Sequence, residues 1–369
     1  MPKKILIIKS SSMGDIVHAL PVAYDIKKHF PDCELSWVVE ESFTDIPKLS
    51  PYVDKLVVTA FRRWRKHIFS ASVRGEIIAV RRALAEAKYD IVIDLQGLIR
   101  TAVVARWAGV ESVGYSKENI KEPLAARFYS RTLLVSNKLV PVVRYRTMAA
   151  QALGYTLQDE DLHYGLDVKP MTPTGVRTPY AALTVNTSRA EKLWPKSRWT
   201  EVARELAEDG VMSVLFWGND KERAYCEEIA SSVPGQVVVL PRLSLRAIAE
   251  VIAGARCLLG VDTGLTHLGA WHPFRGHHCW DECRALFVGF RECLRNCGRQ
   301  GRDSPARRSA SGHAFCPGPG GRLLTEFFKG ACDADFDALP RVDLLRIAAG
   351  KVLSPKEGPQ AARLSQALG

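Results

Sequence analysis

Residues 4–30 read KILIIKSSSMGDIVHALPVAYDIKKHF, and the class of the fold turns on this stretch. Ile5, Leu6, Ile7 and Ile8 form an unbroken apolar run, the pattern of a strand covered on both faces. A turn of small residues follows at once, from Ser10 to Gly14. From Ile16 to Phe30 the apolar residues Val17, Leu20, Val22, Tyr24 and Ile26 fall around helical faces, and Pro21 is predicted to kink the second turn. Strand, small-residue turn and helix in this order open a βαβ unit of a parallel sheet.

The same alternation continues outward. Strands are predicted at 34–39 (ELSWVV), 55–59 and 90–95 (DIVIDL), with helices at 74–87 and 98–108, so residues 1–165 read as one doubly wound α/β domain. Residues 165–179, GLDVKPMTPTGVRTP, carry three prolines and three threonines with no helical or strand period, which places a linker at 166–179. Beyond it the alternation resumes, with strands at 180–185, 213–217, 236–240 and 257–261 and helices at 197–209, 221–232 and 245–255. Residues 180–369 are therefore a second Rossmann-like domain. Two such domains are expected to face a central cleft at the carboxyl ends of their sheets, where open α/β folds bind ligands.

A chain of 369 residues, 47% hydrophobic and 25% charged, can bury two cores of ordinary size. No run approaches the roughly 18 consecutive apolar residues of a membrane helix, and the first residues enter a strand and not a cleavable apolar segment. Export is not expected, and nine cysteines without a secretory signal imply reduced thiols in the cytoplasm. The formal net charge of +11 favours an anionic partner: nucleic acid, anionic lipid or a phosphorylated substrate.

The turn at Ser10 to Asp15 carries the first chemistry. Its amides and hydroxyls lie at a helix N-terminus, which favours anions. Asp15 has two readings on spacing alone: an N-cap of the helix, or a general base at the mouth of a cleft that takes a hydroxyl proton as that oxygen attacks an electrophile. The turn lacks GxGxxG, which argues against a dinucleotide dehydrogenase. A second such turn is VDTGLTHL at Val261 to Leu268, where Thr263, Thr266 and His267 are donors suited to a diphosphate, and Asp262 or Thr263 is equally suited to cap the helix. The DxD pairs, at 159–161 and 333–337, follow no predicted strand, so no bound metal is expected, and no basic-aromatic platform suggests nucleic acid.

Taken together, SSSMGDIVHALP, RRWRK at 62–66, DLQGL at 94–98, KEPLAARFYSR at 121–131, KLWP at 192–195 and VDTGLTHL resemble, in order, the signatures of the ADP-heptose:lipopolysaccharide heptosyltransferase family, in its heptosyltransferase I branch. The resemblance covers roughly residues 1–270. It implies a GT-B fold and metal-independent, inverting transfer of L-glycero-D-manno-heptose from ADP-heptose to the Kdo of a lipid A-Kdo2 acceptor. On this resemblance Asp15 is the base acting on the Kdo hydroxyl. Thr187, Ser188, Lys192, Glu222, Asp262, Thr263, Gly264 and His267 are expected to hold the donor, with Lys192 on its phosphates and Glu222 on its ribose. Ser12, Met13, Gly14, Arg62, Arg63, Arg65, Lys66, Gln96 and Lys121 are expected to hold the acceptor. Such an acceptor bears carboxylates and phosphates, so the RRWRK run reads as its cationic contact rather than as a solvated face, and Trp64 as an aromatic at a membrane interface. The protein is then expected on the cytoplasmic face of the inner membrane, bound peripherally to its anionic surface and needing no cofactor. A related transferase with another acceptor, or a non-catalytic sugar-nucleotide or lipopolysaccharide-binding protein, are the alternatives.

The pattern breaks after Leu268. Residues 271–321 hold five of the nine cysteines and eight arginines, yet no Lys, Ile, Thr, Tyr or Met, a loss foreign to a globular domain. Codons for residues 271–278 read one nucleotide later can encode Gly-Ile-Pro-Phe-Val-Gly-Thr, an ordinary turn and strand, so a shifted reading frame is one explanation. ALFVG at 285–289 is the counter-signal, since it passes as a buried strand. The competing reading is a zinc site at Cys279, Cys283, Cys293 and Cys297 with His277 and His278, although its spacing is looser than that of common zinc modules. Residues 341–353 again show the apolar spacing of an amphipathic helix.

Overall fold

A computed structural model of the chain describes residues 2–157, 162–188, 192–270 and the strand at 285–288, and divides into two units, Met1–Val168 and Lys169–Gly369. The boundary falls inside the proline- and threonine-containing stretch.

The first unit runs β1 (Lys4–Ile8), α1 (Met13–His29), β2 (Glu34–Glu40), α2 (Asp45–Lys48), β3 (Lys55–Thr59), α3 (Phe61–Lys66), α4 (Ala71–Glu86), β4 (Ile91–Asp94), α5 (Ile99–Trp107), β5 (Glu111–Tyr115), β6 (Arg131–Leu133) and α6 (Pro141–Leu153). Its six strands are all parallel, in the order β3-β2-β1-β4-β5-β6. Strand β1 sits at the centre, with Ile5 opposite Leu35 on one side and Ile91 on the other. Ile5 to Ile8 are all fully buried, as a central strand covered by helices on both faces requires. Helix α1 runs through Pro21 and starts earlier than its apolar period, because Ser12 supplies its N-cap. It is tied to α6 by a buried ion pair, Arg146 Nε and Nη2 donating to Asp25 at 2.7 and 3.0 Å.

The second unit runs β7 (Tyr180–Thr184), α7 (Lys196–Glu208), β8 (Met212–Leu215), α8 (Asp220–Ser231), β9 (Val237–Val239), α9 (Leu245–Gly254), β10 (Cys257–Val261), α10 (Gly264–Ala270) and β11 (Ala285–Val288). The five parallel strands are ordered β11-β10-β7-β8-β9. In α7 the buried residues Trp199, Ala203 and Leu206 recur at helical spacing and face β7 and β8. The starts of α8 and α9 are capped by Asn219, which accepts from the Glu222 amide at 3.1 Å, and by Ser244, which accepts from the Ala247 amide at 3.2 Å. ALFVG, the counter-signal to a frame change, supplies β11, which pairs with β10 from Leu258 opposite Ala285 to Val261 opposite Val288. The cysteine and histidine set of the zinc reading and the 341–353 periodicity lie outside the described residues. No described helix is long and apolar enough to cross a membrane.

In each unit the strand order reverses beside the first strand: between β1 and β4, and between β7 and β10. Crevices at such reversals are where this class of sheet binds ligands. Asp15 stands in the first turn of the helix that follows β1, and the loops that leave β4, β7 and β10 carry Gln96, Thr187 and Asp262.

Candidate functional site

In the first unit Asp15 is the third residue of α1, and Ser12 is its N-cap. The sequence reading of Asp15 as the N-cap itself is corrected: Asp15 accepts the Ser12 amide and hydroxyl on Oδ2, at 3.0 and 2.8 Å, in the manner of a capping-box acid. Its other oxygen, Oδ1, accepts the Tyr145 hydroxyl at 2.8 Å and lies 3.7 Å from the Lys9 ammonium. A carboxylate offers about four lone-pair sites. Ser12 fills both on Oδ2, whereas Lys9 stands beyond hydrogen-bond range of Oδ1, which keeps a site for an incoming hydroxyl. The side chain is 37% exposed, so such a hydroxyl can reach it.

The charges around Asp15 fix its state. Burial pushes the carboxyl up, but Lys9, both Ser12 donors and Tyr145 outweigh burial and hold it below the ordinary carboxylate range. Burial also lowers the Lys9 ammonium, against the pull of Asp15 and Asp94. Burial and the Asp15 charge raise the Tyr145 phenol, which stays a donor. Neither Lys9 nor Tyr145 was picked out in the sequence. Lys9 follows β1 directly and is buried, with its Nζ 4.6 Å over the Tyr145 ring. Tyr145 is 130 residues from Asp15.

Gln96 meets the same turn, accepting the Ser11 amide at 3.1 Å. It is aimed by Asp94, whose Oδ1 accepts the Gln96 and Gly97 amides at 2.7 and 3.2 Å and whose Oδ2 accepts the Tyr129 hydroxyl at 2.7 Å. Met13 and Gly14 line the first turn of α1 and are half-buried. Lys121 is exposed, and its neighbour Glu122 accepts the Ile99 amide at the start of α5, at 2.7 Å.

RRWRK forms the body of α3. Glu40, buried at the end of β2, accepts the first two amides of this helix, Phe61 and Arg62, at 3.0 and 3.1 Å. The placement of Trp64 at a membrane interface is corrected here. Trp64 is only 5% exposed, packs with Ala60 and Val73, and donates Nε1 to Glu76 at 2.9 Å. A six-residue helix needs a buried anchor, and the indole is the side chain with both apolar neighbours and a polar partner. Arg63 is held by the chain's own carboxylates, Glu76 at 2.9 Å and Glu41 at 3.0 Å. Arg62, Arg65 and Lys66 project outward, Arg62 over the Phe43 ring.

In the second unit Lys192, Asp262 and His267 form one triad. Lys192 Nζ donates to Asp262 Oδ2 at 2.5 Å, and His267 Nε2 lies 3.2 Å from Oδ1, which can only accept, so Nε2 carries the proton. The His267 contact is the main cause holding the Asp262 carboxyl far below the usual range; burial opposes it and Lys192 reinforces it. Thr263, in the turn between β10 and α10, and Gly264, which opens α10, are half-buried, and Thr187 and Ser188 follow the end of β7. Glu222 accepts the Gly218 amide at 2.7 Å, closing the turn into α8. Beneath the triad, Thr266 donates to the Val261 carbonyl at 2.7 Å and meets Thr184 at 2.6 Å. A Cβ on Gly260 would stand 1.8 Å from the Thr184 hydroxyl, so only glycine admits this contact. Among the described residues no group of three His, Cys, Asp or Glu is arranged to hold a metal.

Residues 77–271 match the family model described as glycosyltransferase family 9 (heptosyltransferase). The chain is 39% identical over 268 residues to lipopolysaccharide heptosyltransferase 1 of Pseudomonas aeruginosa, covering 72% of this chain and 75% of that protein. It is 38% identical over 270 residues to the Escherichia coli protein of the same name, covering 72% and 84%. Among solved structures it is similar to E. coli heptosyltransferase WaaC with ADP, at 37% identity and TM-score 0.68 over 73% of this chain and 84% of that one. It is also similar to WaaC with ADP-2-deoxy-2-fluoro heptose, at 32% identity and TM-score 0.69 over 83% and 100%.

Proposed function

Since the chain belongs to glycosyltransferase family 9, the heptosyltransferases, we propose that it is an ADP-heptose-dependent lipopolysaccharide heptosyltransferase of GT-B fold, adding heptose to the inner core. The acceptor is the Kdo of lipid A-Kdo2, and the donor sugar is L-glycero-D-manno-heptose. Asp15 Oδ1 takes the proton of the attacking Kdo hydroxyl. Its oxygen forms a bond to the anomeric carbon of the heptose as the bond from that carbon to the diphosphate breaks, inverting the centre and releasing ADP. In-line displacement asks for one base on the acceptor side and a cation on the leaving group. Lys192 is that cation, and transfer needs no metal. The observation that carries the reading is Asp15 itself, at the reversal of strand order, held ionised by Lys9, Ser12 and Tyr145, with one acceptor site left on Oδ1.

Arg62, Arg65, Lys66 and Lys121 meet the acid groups of the acceptor, and Ser12, Met13, Gly14 and Gln96 shape the ground beside the base. Arg63 acts by holding α3. Thr187, Ser188, Glu222, Asp262, Thr263, Gly264 and His267 surround the donor. The enzyme works on the cytoplasmic face of the inner membrane, bound peripherally to its anionic surface. Mass spectrometry of the product from ADP-heptose and Kdo2-lipid A, with a chelator present, tests the reading. Wild type adds one heptose, and Asp15→Asn loses about 10²–10⁴-fold in rate while binding ADP unchanged. Wild-type turnover in Asp15→Asn would defeat the base assignment, and an absolute requirement for a divalent ion would defeat the metal-free one.

A further inference from the structure

Burying Trp64 leaves α3 without the interfacial aromatic that its sequence offered, and the fold presents another one a few residues on. Phe69 is 90% exposed and Ile68 is 45% exposed, side by side in the turn between α3 and α4. Isolated exposed apolar residues are ordinary. Two in succession at the tip of a turn, ringed by cations, are not. Arg65 and Lys66 precede the tip and are exposed, and Arg74 follows it on α4. Further along that helix Ile78, 64% exposed, lies one turn from Arg74 and from Arg81 and Arg82 on the same outer face. The carboxylates nearby are engaged within the fold, Glu76 by Arg63 and Trp64, and Glu86 by Arg82.

The tip is also held in place. The Ser70 amide donates to the His67 carbonyl at 2.9 Å, closing the turn, and the Arg74 amide donates to the Ser70 carbonyl at 3.0 Å, starting α4. Behind it, Trp64 and Val73 pack together and Glu76 clamps α3 to α4. A tip ordered in advance loses little freedom when it docks.

We propose that Ile68 and Phe69 insert into the interfacial layer of an anionic bilayer while Arg74 and Arg81 contact its headgroups. The inference rests on the reading that the enzyme works at such a surface, and it names the element that does the binding. Charge complementarity selects the occupant: an apolar tip inside a ring of cations matches hydrocarbon beneath acidic headgroups. A single Phe and Ile fall short of the roughly 800 Å² per partner of a stable protein interface.

Co-sedimentation of the full chain with phosphatidylcholine vesicles, with and without phosphatidylglycerol, tests it. Wild type is expected to sediment with the anionic vesicles and to stay in solution with the neutral ones. Phe69→Ser is expected to lose about tenfold in partitioning, with its Tm and its turnover of a deacylated, water-soluble acceptor unchanged. Phe69→Trp, which restores an interfacial aromatic, is expected to keep the binding. If wild type binds anionic vesicles and Phe69→Ser binds equally well, the tip assignment falls while the peripheral-membrane reading stands. If wild type binds neither vesicle, both fall, and equal binding to both vesicles removes the cationic ring from the explanation.

Discussion

Asp15 performs two tasks with two oxygens: Oδ2 closes the first turn of α1 through Ser12, and Oδ1 faces Tyr145 and Lys9. The donors that fix its geometry also stabilise its charged form, so removing one must raise its pKa. In Tyr145→Phe the ring stays and the 2.8 Å hydrogen bond goes. A hydrogen bond to a charged group contributes about 1.5 kcal/mol, discounted because the carboxyl is partly exposed, so the acid limb of the pH profile of kcat/KM should move to higher pH by at most about one unit. A profile that does not move would mean that Tyr145 packs against Asp15 without tuning it. At this scale the sequence was informative wherever a residue follows a strand end: Asp15, Gln96 and Asp262 lie just past predicted strands. It was silent on Lys9 and Tyr145, because only the folded sheet buries the first and only the packing of α6 on α1 brings the second to the base.

Helix α3 is too short to hold itself, since nucleation costs more than six residues return. Its order is imposed by Glu40 at its start and by Glu76 from α4. Glu76→Ala should free Arg63 and the Trp64 indole together, speed hydrogen exchange of amides 61–67, and raise the KM for the acceptor while the KM for ADP-heptose stays put. A change in donor KM alone would show that α3 serves another purpose. In the second unit the corresponding device is the threonine pair under the β10 turn. Gly260→Ala places a methyl into the Thr184 and Thr266 hydroxyls, and overpacking of this kind costs about 1–3 kcal/mol, read as a lower Tm and weaker ADP binding. Wild-type values for both would show that the turn yields easily. Long elements with a clear period, such as β1, α1 and α7, were legible from the sequence. Five were not read. Helices α2 and α3 have only four and six residues, too few to show a period. Strand β6 has only three residues, β5 contains Gly114, and α6 opens with Pro141 and two β-branched valines that mask its helical period. The Pro141 start and the left-handed Gly154 at its end, φ 77°, were the available signals.

At the scale of the molecule, two units repeat one strand order, and each sets charged residues at its own reversal point. The family match ends at residue 271, where the composition of the chain also changes, so the unit that bears Lys192 and Asp262 is the one whose competence most needs a direct measurement. Its described part already holds the Lys192, Asp262 and His267 triad, the threonine pair under it and the turn into α8, all drawn from residues before the break. Donor binding should therefore be present in the chain as it stands. A ligand that binds only the folded state stabilises it by RT ln(1 + [L]/Kd), about 2.7 kcal/mol at a hundredfold excess over Kd, so ADP and ADP-heptose should each raise the Tm in a concentration-dependent way. Lys192→Ala removes the cation expected on the diphosphate and should abolish most of that rise, whereas Asp15→Asn, on the other unit, should leave it intact. A wild-type chain whose Tm ignores both ligands would place the loss of function in the second unit, and a Lys192→Ala chain that still responds in full would move the diphosphate contact to other residues.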